Sequence, residues 1–244
     1  MSFRSIRLYV KQKLAHKEII ELNDKASHYL NTVMRCETGD SIKCFNATDG
    51  EFVAKIENID KKRTIIKIEE QVRKPSEEGD VWLLFAPLKK DKTDFVIEKA
   101  VELGVSKIVP VITARTNSTK VKIERFEAQA IEASEQCERL SVPEIKETVF
   151  LKKIIKEWDT TRILFFMDER RQGETAAKAF ESLSRKKAAL LIGPEGGFDE
   201  DERILLEKQP FVKNISLGPR ILRAETAAIA SLAIWQAVAG DWRK

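Results

Sequence analysis

A short apolar run that ends in a glycine-rich turn decides the fold of this chain: AALLI at residues 188–192 is followed directly by GPEGGF at residues 193–198. Five apolar residues bounded by glycine are typical of a strand buried on both faces of a sheet. After the turn, Asp199 and Glu202 match the capping pair of a helix. Glycine has no Cβ atom, so this backbone can take positive φ values and approach a ligand closely. A purely structural turn is the alternative interpretation.

Further apolar runs of the same kind alternate with helical patterns. The predicted strands are residues 81–86, 107–112, 163–167, 188–192 and 214–217, and the predicted helices are residues 92–103, 121–139, 151–158, 174–183, 199–208 and 223–239. Buried strands separated by helices predict an α/β domain with a mostly parallel sheet. Ligands of such sheets bind at the carboxyl ends of the strands.

The first third of the chain has a β-rich pattern. Alternating or β-branched residues predict short strands at residues 3–10, 41–45, 51–56 and 64–68, with Asp49-Gly50 as a hairpin turn. One helix is predicted at residues 24–34, with Asn23 or Asp24 as its cap. Short strands with a single helix predict a small β-barrel.

A change of composition and charge separates this part from the rest. Pro75 and Gly79 mark a linker, which predicts domains at residues 1–74 and 75–244. Residues 1–74 hold 15 Lys and Arg against 11 Asp and Glu, whereas the remaining residues hold 28 of each. The basic residues of this first part include the run Lys61-Lys62-Arg63 and the pair Arg73-Lys74. Clustered basic residues bind phosphate, and a solvated loop is an equally good explanation of this excess.

Composition excludes several classes of protein. Arg4 and Arg7 interrupt the only apolar stretch near the start, so no signal peptide is expected. The longest nearly uncharged stretch, residues 226–239, is shorter than the roughly 20 residues that cross a bilayer. Three cysteines are present: Cys36, Cys44 and Cys137. They form no CxxC pair, which argues against a disulfide framework and a metal site, so we expect a cytoplasmic protein with Cys137 as a packing residue.

Polar or glycine-bearing segments follow three of the predicted strands. They are MDER at residues 167–170, GPEGGF at 193–198 and LGPR at 217–220, the last continuing as ILRAET into the final helix. The carboxyl ends of parallel strands meet at one edge of a sheet, so we expect these segments to share one crevice. Neither G-x-G-x-x-G nor a P-loop motif is present. Two rigid glycine-bearing loops suit a flat heterocycle held by backbone groups.

The segments LIGPEGGF at residues 191–198 and SLGPRILRAETA at 216–227 together resemble the ribosomal RNA small-subunit methyltransferase E family of the SPOUT superfamily. The resemblance covers nearly the whole chain. It also includes ELGV at 102–105 with Pro110, EQCER at 135–139 with Val142-Pro143, and, in the first domain, His28, VMR at 33–35 and Gly39-Asp40. The sequence departs from the family pattern at Ala224, usually Thr, and at Glu138, usually Gly. Residues 113–118 match loosely, with Arg115 as the position carried over.

This resemblance implies a fold, a cofactor and a reaction. The C-terminal domain would be a SPOUT-type parallel sheet with a trefoil knot, and the N-terminal domain a PUA-like, RNA-binding β-barrel. The protein would transfer a methyl group from S-adenosylmethionine to N3 of a uridine in 16S rRNA of the small ribosomal subunit, and would form a homodimer through its C-terminal domain. The cofactor would be held by Phe166, Met167, Leu191, Ile192, Gly193, Pro194, Gly196, Gly197, Leu217, Gly218, Ile221, Leu222 and Thr226.

Methyl transfer to a ring nitrogen requires no covalent enzyme intermediate. It requires alignment of the reacting atoms and a cation beside the anionic uracil. We hypothesise that Arg223 or Arg115 supplies this cation and that Arg139 and Arg220 contact RNA. Glu195 is a candidate acceptor of the proton, although a Glu in a tight turn also caps backbone amides.

Two further sequence features concern RNA and a protein partner. His28 and Arg35 are seven residues apart, so a continuous helix would present both on one face, either to RNA or in a local fold contact. Between residues 224 and 239 the last helix is apolar nearly all round, so most of its faces must be covered, by its own domain or by a second subunit.

Two alternative functions stay open from the sequence. A methyltransferase of the same fold could act on a ribose 2′-OH or another RNA position. A non-catalytic RNA-binding factor of ribosome assembly could also keep this fold. A nucleotide hydrolase is disfavoured because the P-loop lysine is missing.

Overall fold

The computed structural model describes residues 6–60, 63–117, 121–170, 173–181 and 187–243. The chain divides into two compact units. The first comprises Met1–Glu77 together with Ser134–Val142, and the second comprises Glu78–Ala133 and Pro143–Lys244. The predicted domain limits, 1–74 and 75–244, treat each domain as one continuous segment, so they did not anticipate the position of residues 134–142.

The first unit contains a five-stranded sheet. Its strands are β1 (Arg7–Tyr9), β2 (Ile19–Leu22), β3 (Ser41–Asn46), β4 (Gly50–Ile59) and β5 (Thr64–Arg73), in the spatial order β1-β3-β4-β5-β2. The pair β1–β3 is parallel and the other pairs are antiparallel. The predicted hairpin turn is confirmed, because Gly50 begins β4 with φ +91°. Sequence reasoning missed β2, whose alternation extends over only four residues.

The predicted helix at residues 24–34 is two elements instead of one. Helix α1 (Asp24–His28) is capped by Asn23, whose side-chain oxygen accepts a hydrogen bond from the Ala26 amide. A π-helical turn, Tyr29–Val33, follows, and Arg35 then takes φ +56°. The expectation that His28 and Arg35 share one α-helical face is therefore wrong. The π-helical turn has more residues per turn than an α-helix, and Arg35 has a left-handed backbone conformation, so the two side chains are not related by two α-helical turns.

A buried arginine explains why residues 134–142 belong to the first unit. Arg7 is 7% exposed, and its Nε lies 2.5 Å from Glu51 Oε1. Its guanidinium also donates to the carbonyl oxygens of Ser134, Glu135 and Arg139 at 2.9–3.1 Å. Ser134 and Glu135 lie in the last turn of the helix that ends at Gln136, and Arg139 follows it, so the arginine satisfies acceptors that a helix leaves unpaired at its carboxyl end.

The second unit alternates strands and helices, as the sequence predicts. Its strands are β6 (Val81–Phe85), β7 (Lys107–Ile112), β8 (Glu144–Ile145), β9 (Val149–Phe150), β10 (Ile163–Met167), β11 (Glu174–Thr175), β12 (Ala188–Ile192) and β13 (Val212–Ser216). Its helices are α2 (Lys90–Glu102), α3 (Ile123–Gln136, whose last three residues belong to the first unit), α4 (Leu151–Lys156), α5 (Ala176–Glu181), α6 (Glu200–Glu207) and α7 (Ala224–Val238).

All pairings of the described strands in this sheet are parallel, in the order β11-β13-β10-β12-β6-β7-β8, with β9 on β7. The predicted α/β class with a parallel sheet is thereby confirmed. The order places β10 between β12 and β13, so the carboxyl ends of these three strands are neighbours. The trefoil knot stays a prediction.

Some element boundaries differ from the predicted ones. Helix α3 ends at Gln136 and not at 139, because Glu138 takes φ +60°, which places Cys137 after the helix. Residues 174–175 pair with β13 as a short strand instead of starting a helix. The predicted end of that helix, residues 182–183, lies outside the described residues. As predicted, Trp158, Phe165 and Phe166 are core residues.

No helix in the described part of the chain combines the length and the apolar character needed to cross a membrane. The three cysteines are free thiols. Burial raises the pKa of the Cys44 thiol, which is fully inside the first unit, and the carboxylates of Glu135 and Glu51 raise it further.

Candidate functional site

A cavity of about 350 Å³ lies at the carboxyl ends of β10, β12 and β13. Its walls come from three loops and the first turn of α7. The lining residues are Met167, Asp168, Glu169, Ile192–Gly197, Ile215, Leu217, Gly218, Arg220–Ala224 and Ala227. The convergence of the strand-end segments that the sequence predicts is therefore present in the structure.

The glycine-rich turn after β12 has no room for side chains at two positions. A Cβ atom on Gly193 would lie 2.5 Å from the ring of Phe198. Gly197 takes φ +68°, and a Cβ atom there would lie 2.2 Å from Glu169 Oε1. The turn is closed by a hydrogen bond from the Gly197 amide to the Pro194 carbonyl at 2.9 Å. These contacts leave main-chain groups as the wall of the cavity.

The helix after this turn begins with the predicted capping box. The Glu202 amide donates to Asp199 Oδ1 at 2.8 Å, and the Asp199 amide donates to Glu202 Oε2 at 3.2 Å. Both ends of the turn are therefore fixed, one by β12 and the other by α6.

The loop after β13 supplies a second glycine and apolar walls. Gly218 takes φ +107°, and its amide donates to Ser216 Oγ at 3.2 Å. Leu217 and Leu222 are partly buried, whereas Ile221 is 73% exposed. An exposed isoleucine beside a cavity offers apolar surface to a ligand or a partner.

Ten of the thirteen predicted cofactor-binding residues line the cavity: Met167, Ile192, Gly193, Pro194, Gly196, Gly197, Leu217, Gly218, Ile221 and Leu222. The other three do not. Phe166 and Leu191 are fully buried beneath it, Phe166 with its ring edge-on to Phe198 at 4.8 Å between centroids. Thr226 is exposed on α7.

Asp168 and Glu169, in the segment at 167–170 that was expected at the crevice, also line the cavity, although neither was predicted to bind a ligand. Asp168 forms ion pairs with Arg203 and Arg170, and its Oδ1 accepts from the Arg170 amide at 3.0 Å. Arg203 also bonds Glu169 and donates to the Phe198 carbonyl at 3.2 Å. The arginine thus ties the β10 loop to the glycine-rich turn.

These contacts control the charge of Asp168. Burial raises its pKa, but the hydrogen bonds from the Arg170 amide and from the Arg203 and Arg170 guanidinium groups outweigh burial and lower the pKa overall. Asp168 is thus ionised at neutral pH. The position of Asp168 directly after a predicted strand could have identified it from the sequence. Nothing in the sequence around Arg203, on α6, indicates its contact with Asp168.

The predicted catalytic arginines occupy different positions. Arg223 is the N-cap residue of α7, is exposed and lines the cavity, as does Arg220. Arg115 donates from Nη1 to the Gly196 carbonyl at 2.9 Å, so it holds the outer side of the glycine-rich turn. Arg223 is therefore the better placed of the two to meet a ligand in the cavity.

Glu195 lies at the cavity and shares a cation with a second carboxylate. The Nζ atom of Lys92, on α2, is 3.8 Å from Glu195 Oε1 and 3.3 Å from Glu225 Oε1. Sequence reasoning missed both Lys92 and Glu225. A lysine or a glutamate in a predicted helix does not by itself indicate a functional site, and only the fold places α2 beside the start of α7.

The predicted RNA-binding residues of the first unit have ordinary local contacts. His28 and Arg35 are exposed, and His28 Nδ1 lies 3.2 Å from Thr32 Oγ1. Arg139 is half-buried, with Nη2 donating to Ser141 Oγ at 2.7 Å. Within the basic run, Lys61 and Lys62 lie outside the described residues, and Arg63 pairs with Glu21 at 2.9 Å.

The RNA methyltransferase domain family matches residues 75–236, and the RNA methyltransferase PUA domain family matches residues 22–69. The chain is 38% identical over 228 residues to the ribosomal RNA small subunit methyltransferase E of Rickettsia conorii, with 93% of each chain covered. It is 30% identical over 235 residues to the protein of that name from Bacillus subtilis, with 91% of each covered.

Two solved structures resemble this chain over nearly its full length. A protein from Legionella pneumophila, solved in complex with the bound cofactor SAM, has a TM-score of 0.88 and 32% identity, covering 98% of this chain and 99% of that one. The ribosomal RNA small subunit methyltransferase E of Neisseria gonorrhoeae, bound to S-adenosyl methionine, has a TM-score of 0.85 and 26% identity, covering 98% and 100%.

Proposed function

The chain belongs to the ribosomal RNA small subunit methyltransferase E family, and from this premise we propose that it methylates N3 of a uridine in 16S rRNA of the small ribosomal subunit. The family establishes the class of enzyme, an rRNA methyltransferase that uses S-adenosylmethionine. One observation supports the assignment of the site most strongly: a main-chain cradle at three adjacent parallel strand ends, lined by most of the residues that the family motifs identify.

The cavity suits S-adenosylmethionine in size and chemistry. Its volume lies within the range of about 300–1,000 Å³ that is usual for cofactor sites. Backbone groups of residues 193–197 and 217–222 would bind the adenine, with Leu217, Ile221 and Leu222 as apolar walls. Asp168 and Glu169 add carboxylate oxygens to the cavity wall, and such oxygens can accept hydrogen bonds from a ligand. When bound, the cofactor supplies a methyl carbon activated by a sulfonium centre.

The chain's own contribution is orientation and charge. Holding acceptor and donor in line can lower the barrier by about 7–11 kcal/mol in favourable cases. Uracil N3 reacts as an anion, and we assign its stabilisation to Arg223, because this guanidinium lies at the cavity and is exposed. Arg115 would act by fixing the Gly196 carbonyl. Arg220 would contact the RNA at the cavity mouth.

RNA recognition is assigned to the first unit together with Arg220. The match to the RNA methyltransferase PUA domain supports this division of roles. We propose that the exposed side chains of His28 and Arg35 contact the RNA backbone, and that Arg139 contributes from residues 134–142. The predicted domain limits, 1–74 for RNA binding and 75–244 for catalysis, are part of this proposal, with residues 134–142 added to the RNA-binding part. We place the enzyme in the cytoplasm, with its rRNA substrate.

Helix α7 supports a homodimer through the C-terminal unit. One face is buried, with Ala228, Leu232 and Trp235 in the core. The opposite face has Thr226, Ala230, Ala233 and Ala237, which are half-buried or exposed. Small residues on a helix face allow another helix to approach closely, and a two-fold axis would bring the two α7 helices together.

The test of function is transfer of labelled methyl groups from S-adenosylmethionine to purified small subunits, followed by mapping of the modified nucleotide. We expect label at N3 of one uridine. Label at a ribose 2′-OH would overturn the choice of acceptor atom. Binding of the cofactor in calorimetry without any transfer to subunits or naked rRNA would favour a non-catalytic factor of ribosome assembly.

The role of Arg223 has its own test. The Arg223→Ala variant should lose at least about 10-fold in turnover at saturating cofactor, because the anionic nucleobase loses its cation. Arg243→Ala, in an exposed C-terminal residue, is the control. Near-normal turnover of Arg223→Ala would remove this residue from the chemistry.

A further inference from the structure

A carboxylate beside the cavity has an oxygen without a donor. Glu225 lies in the first turn of α7, directly after Ala224, which lines the cavity. Its side chain is only 14% exposed, and its Oε1 is 3.3 Å from Lys92 Nζ. The other oxygen, Oε2, is buried, and no donor among the described residues reaches it. A buried acceptor left unpaired is costly, so its presence points to a donor that arrives with a ligand.

The charges around Glu225 hold Oε1 in place and leave Oε2 without a partner among the described residues. Lys92 faces it from α2 and also faces Glu195, 3.8 Å away in the glycine-rich turn. Arg223 precedes it as the N-cap of α7. Because the ammonium group holds Oε1, Oε2 is the oxygen of this carboxylate that stays unpaired. Glu195, at 34% exposure, is much more open to water than Glu225.

We propose that Glu225 accepts the proton from the nucleobase N–H that is methylated, with Lys92 as the residue that positions it. This inference rests on the proposed function. The N–H bond breaks, the proton moves to Oε2, and the electron pair stays on the ring nitrogen. That pair forms the new nitrogen–carbon bond as the carbon–sulfur bond breaks and its electrons remain on sulfur. Glu195, the candidate from the sequence, then has a structural role in the turn.

The test compares Glu225→Gln with Glu195→Gln in methyl transfer to purified small subunits at saturating cofactor. We expect Glu225→Gln to lose about 100-fold or more in turnover at neutral pH, as general-base variants do. The loss should shrink as the pH is raised into the alkaline range, where the uracil imide ionises without a base. Glu195→Gln should lose less and keep the wild-type pH profile. Glu98→Gln, on the exposed side of α2, is the matched control.

Lys92 provides an independent variant pair. Lys92→Met should lower turnover and show the same recovery at alkaline pH, because Oε1 is no longer held. Lys92→Arg keeps the positive charge and should restore most of the activity. If Glu225→Gln does not fold, this pair carries the test, and a Lys92→Met variant with wild-type turnover at every pH would overturn the proposal.

Binding measurements separate this inference from the proposed function. Calorimetric binding of the demethylated product S-adenosylhomocysteine, and thermal unfolding, should be unchanged in Glu225→Gln. If the wild-type protein transfers methyl groups and Glu225→Gln keeps more than half of the turnover with an unchanged pH profile, the inference is wrong and the function stands. If the wild-type protein neither binds the cofactor product nor transfers methyl groups, the proposed function itself fails.

Discussion

Single residues decide whether the cavity can exist. Gly193 leaves space for the Phe198 ring, which in turn packs edge-on against Phe166 in the core. Gly197 takes a left-handed backbone conformation with the Glu169 carboxylate directly above it. A side chain at position 193 would collide with the buried Phe198 ring, and a side chain at position 197 would have an unfavourable positive φ and would displace the Glu169 carboxylate. The two glycines therefore allow the cavity wall to lie directly against the Phe198 ring and the Glu169 carboxylate.

The Gly197→Ala variant tests this argument. It gives the turn an unfavourable positive φ, which strains its backbone, and its Cβ atom would lie 2.2 Å from Glu169 Oε1, so that carboxylate must move. We expect cofactor affinity to fall by at least about 10-fold, or about 1.4 kcal/mol, in calorimetry. Gly79→Ala is the control, because nothing lies within 4 Å of the added Cβ atom. Wild-type affinity in Gly197→Ala would contradict the main-chain cradle.

The Asp168→Asn variant is a second prediction about a single residue. Asp168→Asn would leave Arg203, only 5% exposed, without its full counter-charge. Because Arg203 keeps Glu169 as a partner, we expect a cost of about 1–3 kcal/mol of unfolding free energy, which is less than for a buried charge left with no counter-charge. Urea unfolding at pH 7 should show a loss of this order, and Glu147→Gln, in an exposed residue, should show none.

The pH dependence of that loss has a definite sign. The pKa of Asp168 is lowered in the folded protein, so its stabilising contribution is fully present above the ordinary aspartate pKa of about 3.9. The contribution disappears as the pH falls through the lower folded pKa. The difference between wild type and Asp168→Asn should therefore be constant from about pH 5 to 8 and shrink in acid. A difference that grew in acid would show that the carboxylate is not held ionised.

At the scale of elements, α7 connects the core to the site. Trp235 packs against Phe180 and Phe165, and Gln236 Nε2 donates to the Leu103 carbonyl at 2.7 Å, so the helix is fixed to the sheet and to α2. Its first turn supplies cavity residues. The opposite face, with Ala230 and Ala233, is small and apolar. The same helix thus contributes to the cavity, and its outer face is the surface that we propose for a second subunit.

Ala233→Glu tests the second of these roles. A charge on the outer face of α7 cannot be buried against another helix without a large penalty, so the variant should elute as a monomer at micromolar concentration. Light scattering coupled to size exclusion gives the mass. Ala177→Glu, in an exposed residue of α5, should keep the wild-type mass. A wild-type protein that is itself monomeric would rule out the homodimer.

At the scale of the whole molecule, residues 134–142 complete the first unit from a distant part of the sequence. Arg7 satisfies three carbonyl groups of this segment, and the Tyr9 amide donates to Glu135 Oε1 at 3.0 Å. The cation also stacks on Phe45, 4.1 Å from the ring centroid. A fragment that stops at residue 77 would lose these partners.

The Arg7→Met variant tests the role of this arginine in the first unit. The substitution leaves the Glu51 carboxylate, 1% exposed, without its closest cation, so the free energy of opening of the first unit should fall by about 3 kcal/mol or more. Native-state hydrogen exchange of the amides of β3 and β4 measures this quantity. Lys13→Met, in an exposed residue, is the control. Unchanged protection in Arg7→Met would show that the segment is held by other contacts.

The sequence by itself determined the order of the elements and the chemical character of the strand-end loops. Periodicity and glycine positions are local properties, so the five longer strands of the parallel sheet, the Asp199–Glu202 cap and the glycine-rich turn could be predicted, whereas the two-residue strands β8, β9 and β11 could not. The tertiary structure decided which side chains meet. Lys92 with Glu225, Arg203 with Asp168 and Arg7 with residues 134–139 are separated by 35 to 133 positions, and no local pattern encodes such pairs. The packing of the elements brings these charges together, because an ion pair between residues distant in sequence forms only when the backbone between them has folded.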